Sequence, residues 1–293
     1  MRYVSTRGAA PALDFEGALL AGLAEDGGLY LPEAWPRLES QALRALAGLP
    51  YAEAAARIME PFIGSCFTSE ELRALTGEAY AGFRHAAVAP LRQLDANDWL
   101  LELTQGPTLA FKDYALQLVA PMFDRVLARR GERLTILGAT SGDTGAAAIA
   151  ACEGRERLDI VILYPEGRVS EVQRRQMTTV AAANVHALAI EGTFDDCQDI
   201  VKALFADSEF RRRARLAAVN SINWARVMAQ IVYYVTSAVA LGAPERKIAF
   251  AVPSGNFGNV FAGYAAARMG LPIERLIVGS NRNDVLTRFF ESG

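Results

Sequence analysis

The sequence predicts an α/β protein in which parallel sheets flanked by helices follow a mostly helical N-terminal region. From residue 97 onward, short unbroken apolar runs alternate with longer helical patterns, as expected for parallel strands covered on both faces. Before residue 97, apolar residues recur at helical spacing and no strong strand alternation appears. We therefore predict two regions, a helical one over residues 1–96 and an α/β one over residues 97–293.

The individual elements follow from the same patterns. The predicted strands are residues 99–103, 134–138, 160–164, 185–190, 216–219, 248–252 and 276–278. The helices between them are predicted at residues 111–130, 143–153, 170–182, 194–206, 224–241 and 258–269. In the N-terminal region, helices are predicted at residues 14–24, 38–47 and 52–61, and a capping box at residues 68–71 begins another.

Composition narrows the classes of function. The 293 residues are 52% hydrophobic and 22% charged, which is enough apolar surface for one large or two modest cores and disfavours disorder. The net charge of −3 gives no basic surplus for nucleic acid or an anionic membrane. With only two histidines and three widely spaced cysteines, the sequence disfavours a metal site and a histidine-dependent hydrolase.

The same features predict a cytoplasmic protein. An odd number of cysteines suits a reducing compartment, and no secretory signal pattern follows Arg2. The long uncharged runs at 227–244 and 248–267 are interrupted by polar residues, so we expect no membrane span. The sequence does not predict an oligomeric state.

Lys112 lies in the loop that follows the first predicted strand, at the start of a helix and in apolar surroundings. The N-terminus of a helix carries partial positive charge and disfavours a cation, so this position favours the neutral amine that forms an imine. The ordinary alternative is a first-turn lysine whose ammonium group is solvated.

Two further loops carry glycines between a strand and a helix. Residues 139–145 (Ala-Thr-Ser-Gly-Asp-Thr-Gly) and residues 253–259 (Pro-Ser-Gly-Asn-Phe-Gly-Asn) can direct backbone N–H groups toward a carboxylate or phosphate. Each can equally be a capped or glycine-rich turn. Neither contains a Walker A or a G-x-G-x-x-G motif, so nucleoside triphosphates and nicotinamide dinucleotides are disfavoured.

A fourth loop, residues 220–226, ends in Arg226, whose guanidinium group is suited to bidentate hydrogen bonds with a phosphate. On its own, Arg226 is as readily a surface cation on a helix.

Together these loops resemble the threonine synthases of the bacterial and fungal type, which are fold-type-II pyridoxal-phosphate enzymes. The resemblance runs from Tyr3 to the end of the chain and keeps the family's order of motifs. The matching segments are Tyr3 with Ser5, Thr6, Arg7 and Gly8, then residues 26–32, 106–113, 139–145, 164–165, 220–226 and 254–259. Two departures are Thr104-Gln105, where some relatives carry Phe-His, and Asp143, where many other fold-type-II enzymes carry Asn.

The resemblance implies a role for each loop. Lys112 would hold pyridoxal 5'-phosphate as a Schiff base and then move protons. The cofactor-binding residues would be Lys112, Asp143, Gly255, Asn256, Phe257, Gly258 and Asn259. The substrate-binding residues would be Thr140, Ser141, Gly142 and Thr144, with Asn220, Ser221 and Arg226 at the phosphate end of the substrate.

The implied activity is that of a lyase of threonine biosynthesis, which converts O-phospho-L-homoserine and water into L-threonine and phosphate. Two alternatives stay open. Another fold-type-II enzyme, such as a serine or threonine dehydratase, would share Lys112 and the glycine loop but would not need Arg226. A non-catalytic phosphate-binding protein would have no covalent cofactor.

The resemblance also raises an expectation about length. Members of the family usually continue well past the position of Gly293, and a hydroxyl group from a late strand contacts the pyridine nitrogen of the cofactor. Here the last predicted strand is followed by a short helical tail with Thr287 and Ser292. We therefore expect the partner of the pyridine nitrogen to lie outside these 293 residues.

Overall fold

The computed structural model describes residues 1–218, 223–253 and 257–292, and it confirms the predicted α/β class. The N-terminal elements are β1 (Tyr3–Ser5), α1 (Phe15–Ala21), β2 (Tyr30–Pro32), α2 (Ser40–Arg44), α3 (Tyr51–Ile63), α4 (Ser69–Ala81), β3 (Leu91–Gln93) and β4 (Trp99–Leu101). They are followed by α5 (Asp113–Arg130), β5 (Leu134–Ala139), α6 (Asp143–Cys152), β6 (Leu158–Pro165), α7 (Glu171–Thr178) and β7 (Val185–Ile190). The remaining elements are α8 (Phe194–Ala206), α9 (Ser208–Arg213), β8 (Leu216–Ala218), α10 (Trp224–Ala240), β9 (Ile248–Val252), α11 (Gly258–Arg268), β10 (Ile273–Val278) and α12 (Val285–Ser292).

The main sheet contains four parallel strands in the order β7-β6-β5-β8. In its register, Ile136 lies opposite both Ile160 on β6 and Ala217 on β8. Because the strands are parallel, all their carboxyl ends lie at one edge, where ligands bind in open α/β sheets. The 139–145 motif follows β5 and the 220–226 motif follows β8, so the two motifs come after neighbouring strands of the sheet.

Strands β9 and β10 form a separate parallel pair, in which Ala251 lies opposite Ile277. Helix α11 connects them and packs against α10. The 253–259 motif thus follows β9 in the sequence and ends in the first turn of α11.

One predicted strand belongs elsewhere. We expected residues 99–103 to join the parallel sheet, but β4 pairs antiparallel with β3, with Gln93 opposite Trp99. Trp99 and Leu100 are 40% and 47% exposed, so the apolar run marks an open hairpin and not a strand covered on both faces. The antiparallel pair β1–β2 and the short helix α9 were also not predicted, because such short elements contain too few residues to establish a period.

The hydrophobic core is continuous between the N-terminal region and the α/β region. Trp224, at the beginning of α10, is fully buried, with its ring centroid 5.3 Å from that of Phe62 and 6.2 Å from that of Tyr3. Helix α10 is buried along most of its length and packs against α3, α5 and α11. The close packing of α10 matters for the site because Arg226 lies in the first turn of this helix. Within the described ranges, no helix is both long and apolar enough to cross a membrane.

Asn184 stabilises the edge of the main sheet opposite the predicted site. Its Nδ2 donates to the carbonyl oxygens of Cys152 at 2.8 Å and Leu158 at 2.7 Å, and its Oδ1 accepts from Gly154 N at 3.1 Å. We expect Asn184→Ala to lower the free energy of unfolding by ~1–3 kcal/mol, because the buried carbonyl groups lose their donors. Chemical denaturation measures this change, with Asn97→Ala on the exposed hairpin turn as the control.

This residue lies far from the loops at the carboxyl edge, so the variant should retain its ligand affinities. A free energy of unfolding equal to that of the control would show that Asn184 does not hold this edge together.

Candidate active site

Lys112 caps the N-terminus of α5 and is 9% exposed. Its Nζ forms an ion pair and hydrogen bond with Asp143 Oδ2 and lies 4.9 Å from the centroid of the Phe111 ring. The predicted position at the beginning of a helix is therefore confirmed, and the lysine is buried, not solvated.

Asp113 fixes the loop that leads to Lys112. Its carboxylate is fully buried and accepts hydrogen bonds from Thr108 N at 2.9 Å and Thr108 Oγ1 at 2.7 Å. Burial raises the pKa of Asp113, and the hydrogen bonds from Thr108 oppose that shift. A Cβ atom at Gly106 would lie 2.4 Å from Asp113 Cβ, so only glycine fits there. The hydrogen bonds between Asp113 and Thr108 thus fix the conformation of the loop that precedes Lys112.

The loop after β5 is organised by Thr140. This side chain is buried, and its Oγ1 accepts from Gly142 N at 3.0 Å and Gly145 N at 2.8 Å. Thr144 N donates to Asp143 Oδ1 at 2.8 Å. Three of the amides that we expected to clasp an anion are therefore engaged within the loop. Ser141, in contrast, is exposed at the crevice.

Gly142 adopts φ 142°, a conformation that glycine tolerates and other residues rarely do. A Cβ atom there would lie 2.2 Å from Gln173 Oε1 on α7, so the glycine also admits the neighbouring helix.

Arg226 lies in the first turn of α10 and is 4% exposed. Its Nε and Nη1 atoms have no hydrogen-bond partner among the described residues. Burial lowers the pKa of Arg226 to about 10, and the negative charge of Asp143 opposes this shift. Because buried polar groups are almost always paired, a buried guanidinium with free donors indicates a place for an anion.

Asn259 lies in the first turn of α11, after Gly258 and the partly exposed Phe257. Its Oδ1 is 2.9 Å from the hydroxyl oxygens of both Tyr233 and Tyr234 on α10. The predicted site residues Asn220, Ser221, Gly255 and Asn256 lie outside the described residues.

A cleft of about 360 Å³ opens between the lysine loop and the N-terminal ends of α6 and α7. It is lined by Leu103, Thr104, Thr108, Leu109, Ala110, Phe111, Asp143, Gln173 and Gln176. Gln176 Nε2 donates to the Thr108 carbonyl oxygen at 3.1 Å and so joins α7 to the lysine loop. The volume is within the range of small-molecule sites, roughly 300–1,000 Å³.

Four residues near the site, Gln173, Gln176, Tyr233 and Tyr234, were not predicted. The sequence contained one indication of a role for the two glutamines. They lie on α7, which follows β6, and the carboxyl end of β6 lies beside that of β5. The sequence contained no indication of a role for the two tyrosines, because they lie within a long uncharged run that predicts a helix and nothing more.

Comparison with known proteins agrees with this geometry. Residues 84–293 match the family model described as pyridoxal-phosphate dependent enzyme, and residues 2–80 match the one described as threonine synthase N terminus. Threonine synthase from Pseudomonas aeruginosa is 60% identical over 99% of this chain, and the one from Methylobacillus glycogenes is 46% identical over 100%. The chain spans 62% and 64% of the lengths of these two relatives.

Solved structures show the same likeness. The crystal structure of pyridoxal-phosphate-bound threonine synthase from Brucella melitensis superposes with a TM-score of 0.98 at 59% identity, covering 100% of this chain and 63% of that one. Threonine synthase from yeast superposes with a TM-score of 0.94 at 44% identity, covering 100% of this chain and 60% of that one. The resemblance drawn from the sequence motifs is confirmed, and the chain belongs to the pyridoxal-phosphate dependent enzyme family, within which it is similar to threonine synthases.

Proposed function

We propose that this chain supplies the cofactor lysine and the phosphate-binding arginine of a threonine synthase, a lyase that converts O-phospho-L-homoserine and water into L-threonine and phosphate. The observation that supports this most strongly is the buried Arg226, whose Nε and Nη1 atoms have no partner among the described residues and whose pKa is influenced by Asp143, the ion-pair partner of Lys112. A lysine-linked cofactor needs one phosphate cradle, which we assign to the loop before α11. A second buried cation with free donors suits a substrate that carries its own phosphate.

The residues present fit pyridoxal 5'-phosphate. Lys112 presents a buried amine beside an open cleft, and Asp143 is the carboxylate nearest to it. We propose that Lys112 holds the cofactor covalently and that Gly255, Asn256, Phe257, Gly258 and Asn259 hold its phosphate. When bound, this cofactor withdraws electrons from the carbon atoms of the substrate.

The protein's own contribution is binding, orientation and proton transfer. We propose that Lys112 Nζ, once released from the cofactor, moves protons between substrate carbon atoms while Asp143 orients it. Arg226 would bind the phosphate that leaves from Cγ. We propose that Ser141 and the backbone N–H groups of Ser141 and Asp143 bind the substrate carboxylate, since the amides of Gly142 and Thr144 are engaged within the loop.

The same proposal assigns roles to the remaining predicted residues. Thr140 and Gly142 would shape the carboxylate-binding loop, Thr144 would contribute its hydroxyl group, and Asn220 and Ser221 would assist Arg226. A cytoplasmic location is supported by three free thiols, of which Cys152 and Cys197 are buried. The division into residues 1–96 and 97–293 remains a proposal, because the core crosses it.

A serine or threonine dehydratase is the second candidate, since it would use the same lysine. Its substrate has no phosphate, and burying Arg226 without an anion would then only destabilise the fold. The direct test is to supply the complete protein with O-phospho-L-homoserine and to identify the product by NMR. Threonine with an equal amount of phosphate supports the proposal, whereas a 2-oxo acid with ammonia would assign the dehydratase activity.

Substitution of Lys112 tests the cofactor link. Lys112→Ala should lose the borohydride-reducible bond to pyridoxal phosphate, because no other amine is held at that place in the cleft. Mass spectrometry after reduction measures the adduct, with Lys202→Ala as the control, since Lys202 is exposed and pairs with Asp199 on the surface. A reduced adduct of undiminished yield in the Lys112→Ala protein would refute the assignment.

Substitution of Arg226 separates binding from stability. Arg226→Met should raise KM for O-phosphohomoserine by roughly 10- to 150-fold, because a hydrogen bond to a charged group contributes about 1.5–3 kcal/mol. The ligand-free protein should not lose stability, since the variant removes an unpaired buried charge. Steady-state kinetics and thermal unfolding measure the two effects, with the exposed Arg175→Met as the control.

The assignment of Arg226 would be wrong if Arg226→Met weakened cofactor binding while leaving KM for the substrate unchanged.

A further inference from the structure

A buried polar cluster joins α10 to the first turn of α11. Its members are Tyr233, Tyr234 and Gln230 on α10 and Asn259 on α11. The side chains of the three α10 residues are at least 95% buried, although the surrounding core is apolar. Hydrogen bonds in such a low-dielectric setting hold their groups firmly, because a lost partner leaves an unsatisfied buried atom.

The side-chain amide of Asn259 is the centre of this cluster. Its Oδ1 lies 2.9 Å from the Tyr233 hydroxyl oxygen and 2.9 Å from that of Tyr234. The Tyr234 hydroxyl also lies 3.1 Å from the Asn259 carbonyl oxygen. Burial raises the pKa of both tyrosines, so both hydroxyl groups stay protonated and act as donors.

The two tyrosines are not equivalent. The Tyr233 hydroxyl is also 3.0 Å from Gln230 Oε1, and the Gln230 Nε2 group donates to the Arg226 carbonyl oxygen at 3.0 Å. A hydroxyl has one proton, so Tyr233 donates to only one of the two amide oxygens at a time. Tyr234 contacts Asn259 alone among the hydrogen-bond acceptors of the described residues. The single proton of Tyr234 is shared between the Oδ1 and carbonyl oxygens of Asn259, so whichever it bonds, it holds this residue, and Tyr234 is the stronger constraint on Asn259.

This arrangement orients the amide of Asn259. Because Oδ1 faces the two hydroxyl groups, the Nδ2 group with its two donors points away from them. Nδ2 therefore lies on the side of Asn259 away from the tyrosines, in the first turn of α11, where the helix N-terminus favours an anion.

We propose that Tyr233 and Tyr234 are positioning residues for the cofactor: they hold Asn259 so that its Nδ2 group donates to the cofactor phosphate. This inference rests on the proposed function, in which the loop before α11 is the phosphate cradle. The tyrosines do not touch the cofactor and act only through Asn259.

The test measures cofactor affinity in the complete protein without substrate. Tyr233→Phe and Tyr234→Phe each remove one hydroxyl group and keep the ring in the core. Each should raise the dissociation constant for pyridoxal phosphate by about threefold to tenfold, as expected for the loss of one hydrogen bond. The effect of Tyr234→Phe should be the larger, and both should shift the ³¹P resonance of the bound phosphate.

Tyr3→Phe is the matched control. The Tyr3 hydroxyl group is also buried, and it donates to the Phe62 carbonyl oxygen at 2.7 Å in the N-terminal region. All three variants should lower the melting temperature of the cofactor-free protein, but Tyr3→Phe should leave the dissociation constant and the ³¹P resonance unchanged. An equal change of cofactor affinity in the Tyr3→Phe protein would show that the tyrosines have a structural role only.

A double-mutant cycle completes the test. In an Asn259→Ala background, Tyr233→Phe and Tyr234→Phe should have no further effect on cofactor affinity, because their target is gone. Undiminished effects in that background would overturn the proposal. The identity of the reaction product bears only on the proposed function, since every measurement here is made without substrate.

Discussion

Lys112 forms an ion pair with Asp143, and the negative charge of the same carboxylate opposes the effect of burial on Arg226, so two buried basic side chains depend on one acidic group. Both cations lie at the N-terminal ends of helices, α5 and α10, where the helix dipole adds further positive potential. Burying charge in such places is unfavourable unless an anion compensates it. The ligand-free fold therefore holds a site whose electrostatics would improve when anionic groups bind, in agreement with the proposed function.

The fold assembles these charges through the parallel sheet and the helices that pack on it. Asp143 follows β5 and Arg226 follows β8, and the two strands are neighbours in the sheet. Lys112 lies at the end of a separate loop, which the hydrogen bonds between Thr108 and Asp113 hold in place. Helix α5 packs against both α6 and α10, and the Lys112–Asp143 ion pair joins the first turns of α5 and α6. The precision of the site thus depends on helix packing in the core as much as on the loops themselves.

The sequence predicted the elements better than it predicted their contacts. Strands β7 and β9 and helix α8 have the bounds expected from apolar periodicity, and Lys112 lies at the beginning of its helix as expected. The prediction that residues 99–103 join the parallel sheet was wrong, because the sequence of a short apolar run does not show whether the strand is covered or exposed. The engagement of the Gly142 and Gly145 amides by Thr140 could not be predicted, since hydrogen bonds within a loop depend on its three-dimensional path. The same holds for the contacts between Asn259 and the tyrosines, which are about 25 residues away along the chain.

Helix α10 connects the two anion sites of the proposed mechanism. Arg226 and Tyr233 are seven residues apart, which is close to two helical turns, so their side chains leave the helix on similar faces about 10 Å apart along its axis. In the proposed mechanism, the guanidinium group at one end of this segment binds the substrate, and Tyr233 at the other end holds Asn259 for the cofactor. A helix that is buried along most of its length resists bending, so its backbone keeps Arg226 and Tyr233 at a fixed separation. The proposal thereby gives a reason for Arg226, Gln230 and Tyr233 in an otherwise apolar helix: the backbone fixes their positions relative to one another.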